Sequence, residues 1–177
     1  MTGDKQDETQ PAAGSVGPEA APGNVEEQRY NIRAQYLKDI SFENPNAPLI
    51  YSKLNTQPDI RVSVDVQARA LEARAFEVTL SANVDAKFAD TQGFLSELQY
   101  CALVVVAESV AQDDLEPLLL VDIPHHLFPF ARALISSATR DGGFPPLLIN
   151  PIDFGKLYEQ QKAQRAAGQA AAAETAG

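Results

Sequence analysis

The chain has 177 residues, a net charge of −10 and a pI of about 4.6. That length favours one domain, and the negative balance argues against nucleic acid and anionic membrane surfaces while suiting a basic protein partner. A single cysteine, Cys101, excludes an internal disulfide framework and fits a reducing compartment.

Residues 1–27 are rich in Gly, Pro, Ala, Glu and Gln. Six carboxylates (Asp4, Asp7, Glu8, Glu19, Glu26, Glu27) stand against Lys5, so half of the net charge lies here. Such a segment buries too little apolar surface to offset its ordering entropy, and disorder is expected. It has no apolar core of a secretory signal. The most apolar runs, residues 101–107 and 118–123, are too short to span a bilayer. A cytoplasmic protein that does not insert into membranes is the expectation.

The first strand is expected from about Gln28. Ile32, Ala34, Tyr36, Ile40 and Phe42 share even positions, whereas Asp39, Ser41 and Glu43 share odd ones. Successive strand side chains alternate faces, which predicts an aromatic inner face and an outer face with two carboxylates roughly 13 Å apart. Lys38 breaks the alternation and marks a bulge or an edge. Pro45 and Pro48 then stop the ladder. On spacing alone this face is either a solvated strand surface or an acidic patch for a basic partner. Residues 49–58 read as an ordered connection.

Two further strands are clear. Ile60, Val62, Val64 and Val66 alternate with Arg61, Ser63, Asp65 and Gln67; Phe76, Val78, Leu80, Ala82 and Val84 alternate with Glu77, Thr79, Ser81, Asn83 and Asp85. The link over residues 68–74 has no Gly or Pro, so its turn type is not readable. Residues 90–93 are expected to turn, and residues 94–106 to form a fourth strand. Leu95, Glu97, Gln99 and Cys101 share one of its faces; Phe94, Ser96, Leu98 and Tyr100 share the other.

Residues 107–123 read as a connection. Leu127, Phe130, Ala131, Leu134 and Ile135 recur at helical spacing. Proline fits best in a first turn, so Pro129 places the helix start at Leu127 or Phe128. Asp141-Gly142-Gly143 ends it. A proline-punctuated linker follows, and Asp153 can cap a last helix. The domain is expected over residues 28–162, with a disordered Ala/Gln-rich tail over 163–177. Four strands followed by two helices predict an α+β fold: one antiparallel sheet with both helices on one face. The second helix, the linker and residues 118–123 carry more apolar surface than one small domain buries, which favours oligomerisation.

Catalytic groupings are hard to find. His125 and His126 are adjacent, so their side chains diverge and a shared metal is disfavoured. Cys101 inside an apolar strand reads as a structural thiol. No Gly-rich phosphate loop follows a strand. Asp39 and Glu43 could be imagined as an acid–base pair, but an exposed strand face offers no desolvation to separate their pKa values. Neither an enzyme, a cofactor nor a metal is expected.

Lys38-Asp39-Ile40-Ser41-Phe42-Glu43-Asn44-Pro45-Asn46-Ala47-Pro48 resembles the N-terminal signature of the SecB family of bacterial export chaperones. Leu127-Phe128-Pro129-Phe130-Ala131-Arg132, Gly143-Phe144-Pro145-Pro146-Leu147 and Pro151-Ile152-Asp153-Phe154 resemble a second block. The likeness spans about residues 28–160. It implies a homotetramer, a dimer of dimers, without enzymatic activity or nucleotide. Such a chaperone holds precursor proteins unfolded and passes them to SecA, the export motor. The resemblance places contacts for SecA's basic, zinc-bearing tail at Asp39, Glu43, Leu95 and Glu97. It places client contacts on Phe42, Val62, Val64, Phe76, Val78 and Leu80, on Phe128 of the first helix and on Phe144 of the linker. Thr56 stands where relatives often carry tryptophan, which makes the client groove less aromatic there. A SecB-like chaperone dedicated to a toxin–antitoxin partner is the alternative.

Overall fold

The alternating segments pair into one four-stranded antiparallel sheet, β1 (Tyr30–Glu43), β2 (Pro58–Glu72), β3 (Ala75–Phe88) and β4 (Thr91–Val106), in the order β1-β4-β3-β2. The coordinates are a computed structural model that describes the backbone of residues 28–175 and side chains as far as Arg165. The tail expected over residues 1–27 lies outside the described residues. β1 and β2 form opposite edges, joined by a connection that contains the 3₁₀ turn Leu49–Lys53. Ile50 plugs that connection into the core and is fully buried.

In β2, β3 and β4 the alternation holds. Val66, Leu80 and Leu98 are buried on the inner face, while Ser63, Asn83 and Glu97 line up outward. β1 departs from expectation. Its pairing with β4 skips Lys38: Leu37 faces Tyr100 and the next pair is Asp39 with Gln99. The extra residue at this bulge reverses the parity of the residues before it, and a second shift that skips Arg33 restores it for Ile32 and Tyr30. Ile40 and Phe42 are therefore inward as expected, but Tyr36 lies outward, on the face of Cys101 and Thr79.

Two turns also differ from the sequence pattern. β3 and β4 are joined through Ala89 and Asp90 rather than residues 90–93. Gly93 is instead a bulge within β4, skipped in the pairing. A Cβ there would lie 2.6 Å from the Phe88 ring, so only glycine lets the strand pass. The unreadable link between β2 and β3 is a tight turn with Arg74 at φ 109°. Its guanidinium donates to the carbonyls of Glu108 and Val110 at 3.2 and 3.0 Å, which holds this unfavourable conformation in place.

The helical layer begins earlier than expected. α1 (Gln112–Pro117), a π-helical turn (Leu118–Asp122) and α2 (Ile123–Asp141) run on without a break. Pro129 therefore sits inside a helix rather than in its first turn. It is exposed, so the carbonyl one turn earlier can be left to water. The π turn precedes Pro124, where a missing N–H would interrupt an ordinary α ladder. By length and composition, Gln112–Asp141 could cross a membrane. Its Ile123, Leu127, Ala131 and Ile135 face is instead buried against the sheet. Each of the Ile and Leu side chains contributes about 1.5–3 kcal/mol on burial.

Gly143, at φ 82°, closes α2 in the left-handed conformation that favours glycine. Thr139, buried on the last turn, accepts a hydrogen bond from the Leu147 N–H at 3.0 Å and so fastens the linker. Phe144 then inserts among Phe42, Tyr51, Phe88 and Phe94. Asp153 caps α3 (Phe154–Thr175) by accepting from the Lys156 N–H at 3.0 Å. That bond holds the carboxyl below its usual range. The helix continues beyond residue 162, where a tail was expected, through an alanine-rich sequence of high helix propensity.

Candidate functional site

The outer sheet face is built by register. Beyond the Lys38 bulge, Asp39 faces Gln99, Ser41 faces Glu97 and Glu43 faces Leu95. β3 adds Asn83 beside Glu97 and Asp85 beside Leu95. Glu97 is thus the diagonal neighbour of both Asp39 and Glu43, a separation of about 7–8 Å in antiparallel sheets. Ser41, Glu43, Asn83, Asp85, Leu95 and Glu97 line one shallow depression of about 250 Å³, with Arg61 at its rim.

Three of the four residues with expected SecA contacts, Glu43, Leu95 and Glu97, therefore meet in one place. Asp39 lies on the same face but outside the depression. Among the described residues none of Asp39, Glu43, Asp85 and Glu97 belongs to an ion pair, and Arg61 pairs with Asp59 at 3.3 Å. Carboxylates outside any ion pair around a half-buried leucine are chemically suited to a basic ligand with an apolar foot. The alternation alone does not single out Asp85, because only the β3–β4 pairing brings it beside Leu95.

Farther along the same face lies a group that the sequence does not mark. Glu77 is 8% exposed. It accepts from the Tyr36 hydroxyl at 2.5 Å, from Lys38 at 3.1 Å and from Arg69 at 3.2 Å. The Tyr36 bond, with Lys38 next, holds the Glu77 carboxyl below its usual range, and the same bond pushes Tyr36 up to about 12. The broken alternation at Lys38 is the only hint of this cluster in the sequence.

The residues with expected client contacts divide. Val62 and Val64 line a groove of about 480 Å³ with Leu147, Leu148, Ile152 and Leu157. Phe76 lines a second, of about 630 Å³, with Leu115, Leu119 and Leu120. Both flank β2 on the inner side. Val78, Leu80 and Phe144 are core residues, 0%, 1% and 4% exposed. Phe42 stacks on Phe94, and Phe128 packs edge-on against Phe154. Only displacement of the covering helix and linker would offer the buried members to a ligand.

The histidines diverge. His125 Nδ1 donates to the Val121 carbonyl at 2.6 Å, whereas His126 Nε2 is bonded to the Tyr30 hydroxyl at 2.7 Å. Cys101 is fully buried, and burial pushes its thiol up.

The family model described as "Preprotein translocase subunit SecB" matches residues 23–165. The chain belongs to the SecB family. Similar relatives are named protein-export protein SecB. One, from Rhodopseudomonas palustris, is 45% identical over 150 residues, 85% of this chain and 90% of its own. Another, from Parvibaculum lavamentivorans, is 46% identical over 151 residues, 85% and 89%. That of Rhodospirillum rubrum is 41% identical over 157 residues, 89% and 96%. SecB membership makes this chain a protein-export chaperone. The fold is also similar to the Mycobacterium tuberculosis SecB-like chaperone solved in complex with an antitoxin peptide. The TM-score is 0.60 at 18% identity, over 70% of this chain and 91% of that one.

Proposed function

We propose that this SecB-family chain holds unfolded precursor proteins in the cytoplasm and delivers them to SecA, without nucleotide, metal or catalytic chemistry. The observation that carries this reading is the division of labour between the two sheet faces. Apolar grooves flank β2 on the inner side, and unpaired carboxylates surround Leu95 on the outer side. A client and a motor can then be held at once.

The client side follows from elementary physics. An unfolded segment exposes apolar side chains that a groove of Val62, Val64 and Leu148 can cover; a folded protein hides the same groups. The SecA side is electrostatic. Asp39, Glu43 and Glu97 attract the motor's basic zinc-bearing tail, and Leu95 gives it an apolar contact. Single exposed ion pairs contribute about 0.2–1 kcal/mol, so affinity depends on several charges together.

Assembly as a dimer of dimers accounts for the remaining apolar surface. β1 is an edge strand with Leu37 and Ile40 exposed, and Phe130 of α2 is 52% exposed beside Tyr100. An open edge with such residues invites pairing with another copy. Residues 28–162 form the chaperone domain in this reading.

Glu97→Lys tests the SecA assignment. The variant should lose SecA binding while keeping its oligomeric mass and its ability to delay refolding of a precursor. Undiminished SecA affinity would remove the assignment. Co-purification separates the export role from one with a single toxin–antitoxin client: many precursors are expected, and one small partner would favour the alternative.

A further inference from the structure

We infer that Glu77 is a positioning residue that keeps the acidic outer face available by drawing Lys38 away from Asp39. The inference rests on the proposed SecA surface and adds to it a residue outside that surface.

The bulge creates the need. In a regular strand Lys38 and Asp39 would point to opposite faces. Here Lys38 is the extra residue opposite Gln99, and both side chains emerge on the outer face. A lysine ammonium on a flexible stem has its adjacent carboxylate as the nearest counter-ion. Left to itself, Lys38 would pair with Asp39 and neutralise one of the carboxylates around Glu97. The structure shows a different partner. Lys38 Nζ lies 3.1 Å from Glu77 Oε2, and Asp39 has no ion pair among the described residues.

Glu77 suits this role because its geometry is fixed. Its side chain is 10% exposed against 41% for Lys38, so the bond is better shielded than a pair with an exposed aspartate. Tyr36, two residues before Lys38, donates to the other carboxylate oxygen, and Arg69 comes from β2. Glu77 therefore grips the bulged strand on both sides of Leu37. Arg69 is drawn to the same carboxylate, three strands away from Asp39 in the sheet order.

The test is a binding titration of the full chain with a zinc-loaded peptide of the SecA tail, at low and high salt. Glu77→Gln should weaken binding about two- to fivefold at low salt, and the difference should fade at high salt. The double variant Lys38→Gln/Glu77→Gln should return to the wild-type affinity, since the released cation is gone. Lys38→Gln alone should bind at least as tightly as the wild type, since it removes a cation from the same face. A purely structural role for Glu77 predicts no such rescue. Unchanged affinity in Glu77→Gln, or weakening without rescue, overturns the inference. Glu97→Lys is run alongside. If it binds normally, the surface itself is wrong and the inference falls with it; if it abolishes binding while Glu77→Gln has no effect, only the inference falls. Should Glu77→Gln not fold, the wild type decides. A scalar coupling across the hydrogen bond from Lys38 Nζ to the Glu77 carboxylate supports the inference, and a coupling to Asp39 overturns it.

Discussion

The Tyr36 hydroxyl donates to Glu77 at 2.5 Å, across the outer face of a sheet on which Tyr36 would point inward if its strand were regular. The bond joins residues 41 positions apart and holds Tyr36 on the outer face. It also has a titration signature.

Tyr36 is raised from 10.0 to about 12, chiefly by the hydrogen bond to Glu77 and then by burial. A group whose folded pKa is raised contributes stability that is complete below its unfolded value and is lost as pH rises through the folded one. The window is therefore about pH 10 to 12. Tyr36→Phe should lower the melting temperature at neutral pH and flatten its decline across that window. A decline identical in both proteins would contradict the assignment. On the acid side, Glu77 is lowered, so its contribution is present above the ordinary carboxylate range and is lost as pH falls through the folded value.

Gly142 packs against the Phe42 ring, and a Cβ at that position would overlap the ring. Gly142→Ala should destabilise the chain by about 1–3 kcal/mol, the usual cost of overpacking. Phe42→Leu in the same chain should recover part of the loss. Thermal or denaturant melts of the two single variants and the double variant check this coupling.

Much of the sheet is legible in the sequence, and the exceptions have physical causes. The period-two runs of β2 and β3 specify their faces because each face keeps one character along the strand, and in β4 the run Phe94, Leu98 and Tyr100 marks the inner one. β1 misleads because two bulges, at Arg33 and Lys38, reverse its parity between them, and bonds to a glutamate on another strand hold the second. Asp39 and Glu43 are nevertheless placed on one face correctly, since both lie beyond the bulge. The helix start is hidden by prolines. Pro124 and Pro129 suggest a boundary, but a π turn and an exposed position let the helix run through them. The 90–93 turn fails because Gly93 serves a close approach to Phe88 rather than a reversal of the chain. Burial of Val78, Leu80 and Phe144 could not be read from alternation, which gives the face but not what covers it.

The groove beside β2 gives a prediction on clients. Val62 is 39% exposed and Leu148 65%, so charging them should not disturb the core. Val62→Asp with Leu148→Asp should weaken binding of a permanently unfolded precursor about tenfold or more, because the client's apolar groups would then meet two desolvated charges. SecA affinity should not fall, since Val62 also borders the depression around Leu95 and an added carboxylate there favours a basic ligand. Calorimetric titration of each ligand separates the two effects. Equal losses for both ligands would show that the faces are not independent.

The most direct test of the two-face account is a competition between its ligands. The wild-type protein is first saturated with an unfolded precursor and then titrated with the zinc-loaded SecA tail. The account predicts the same tail affinity with and without the precursor, and a complex that contains both. Displacement of the precursor by the tail, one ligand for the other, would contradict it.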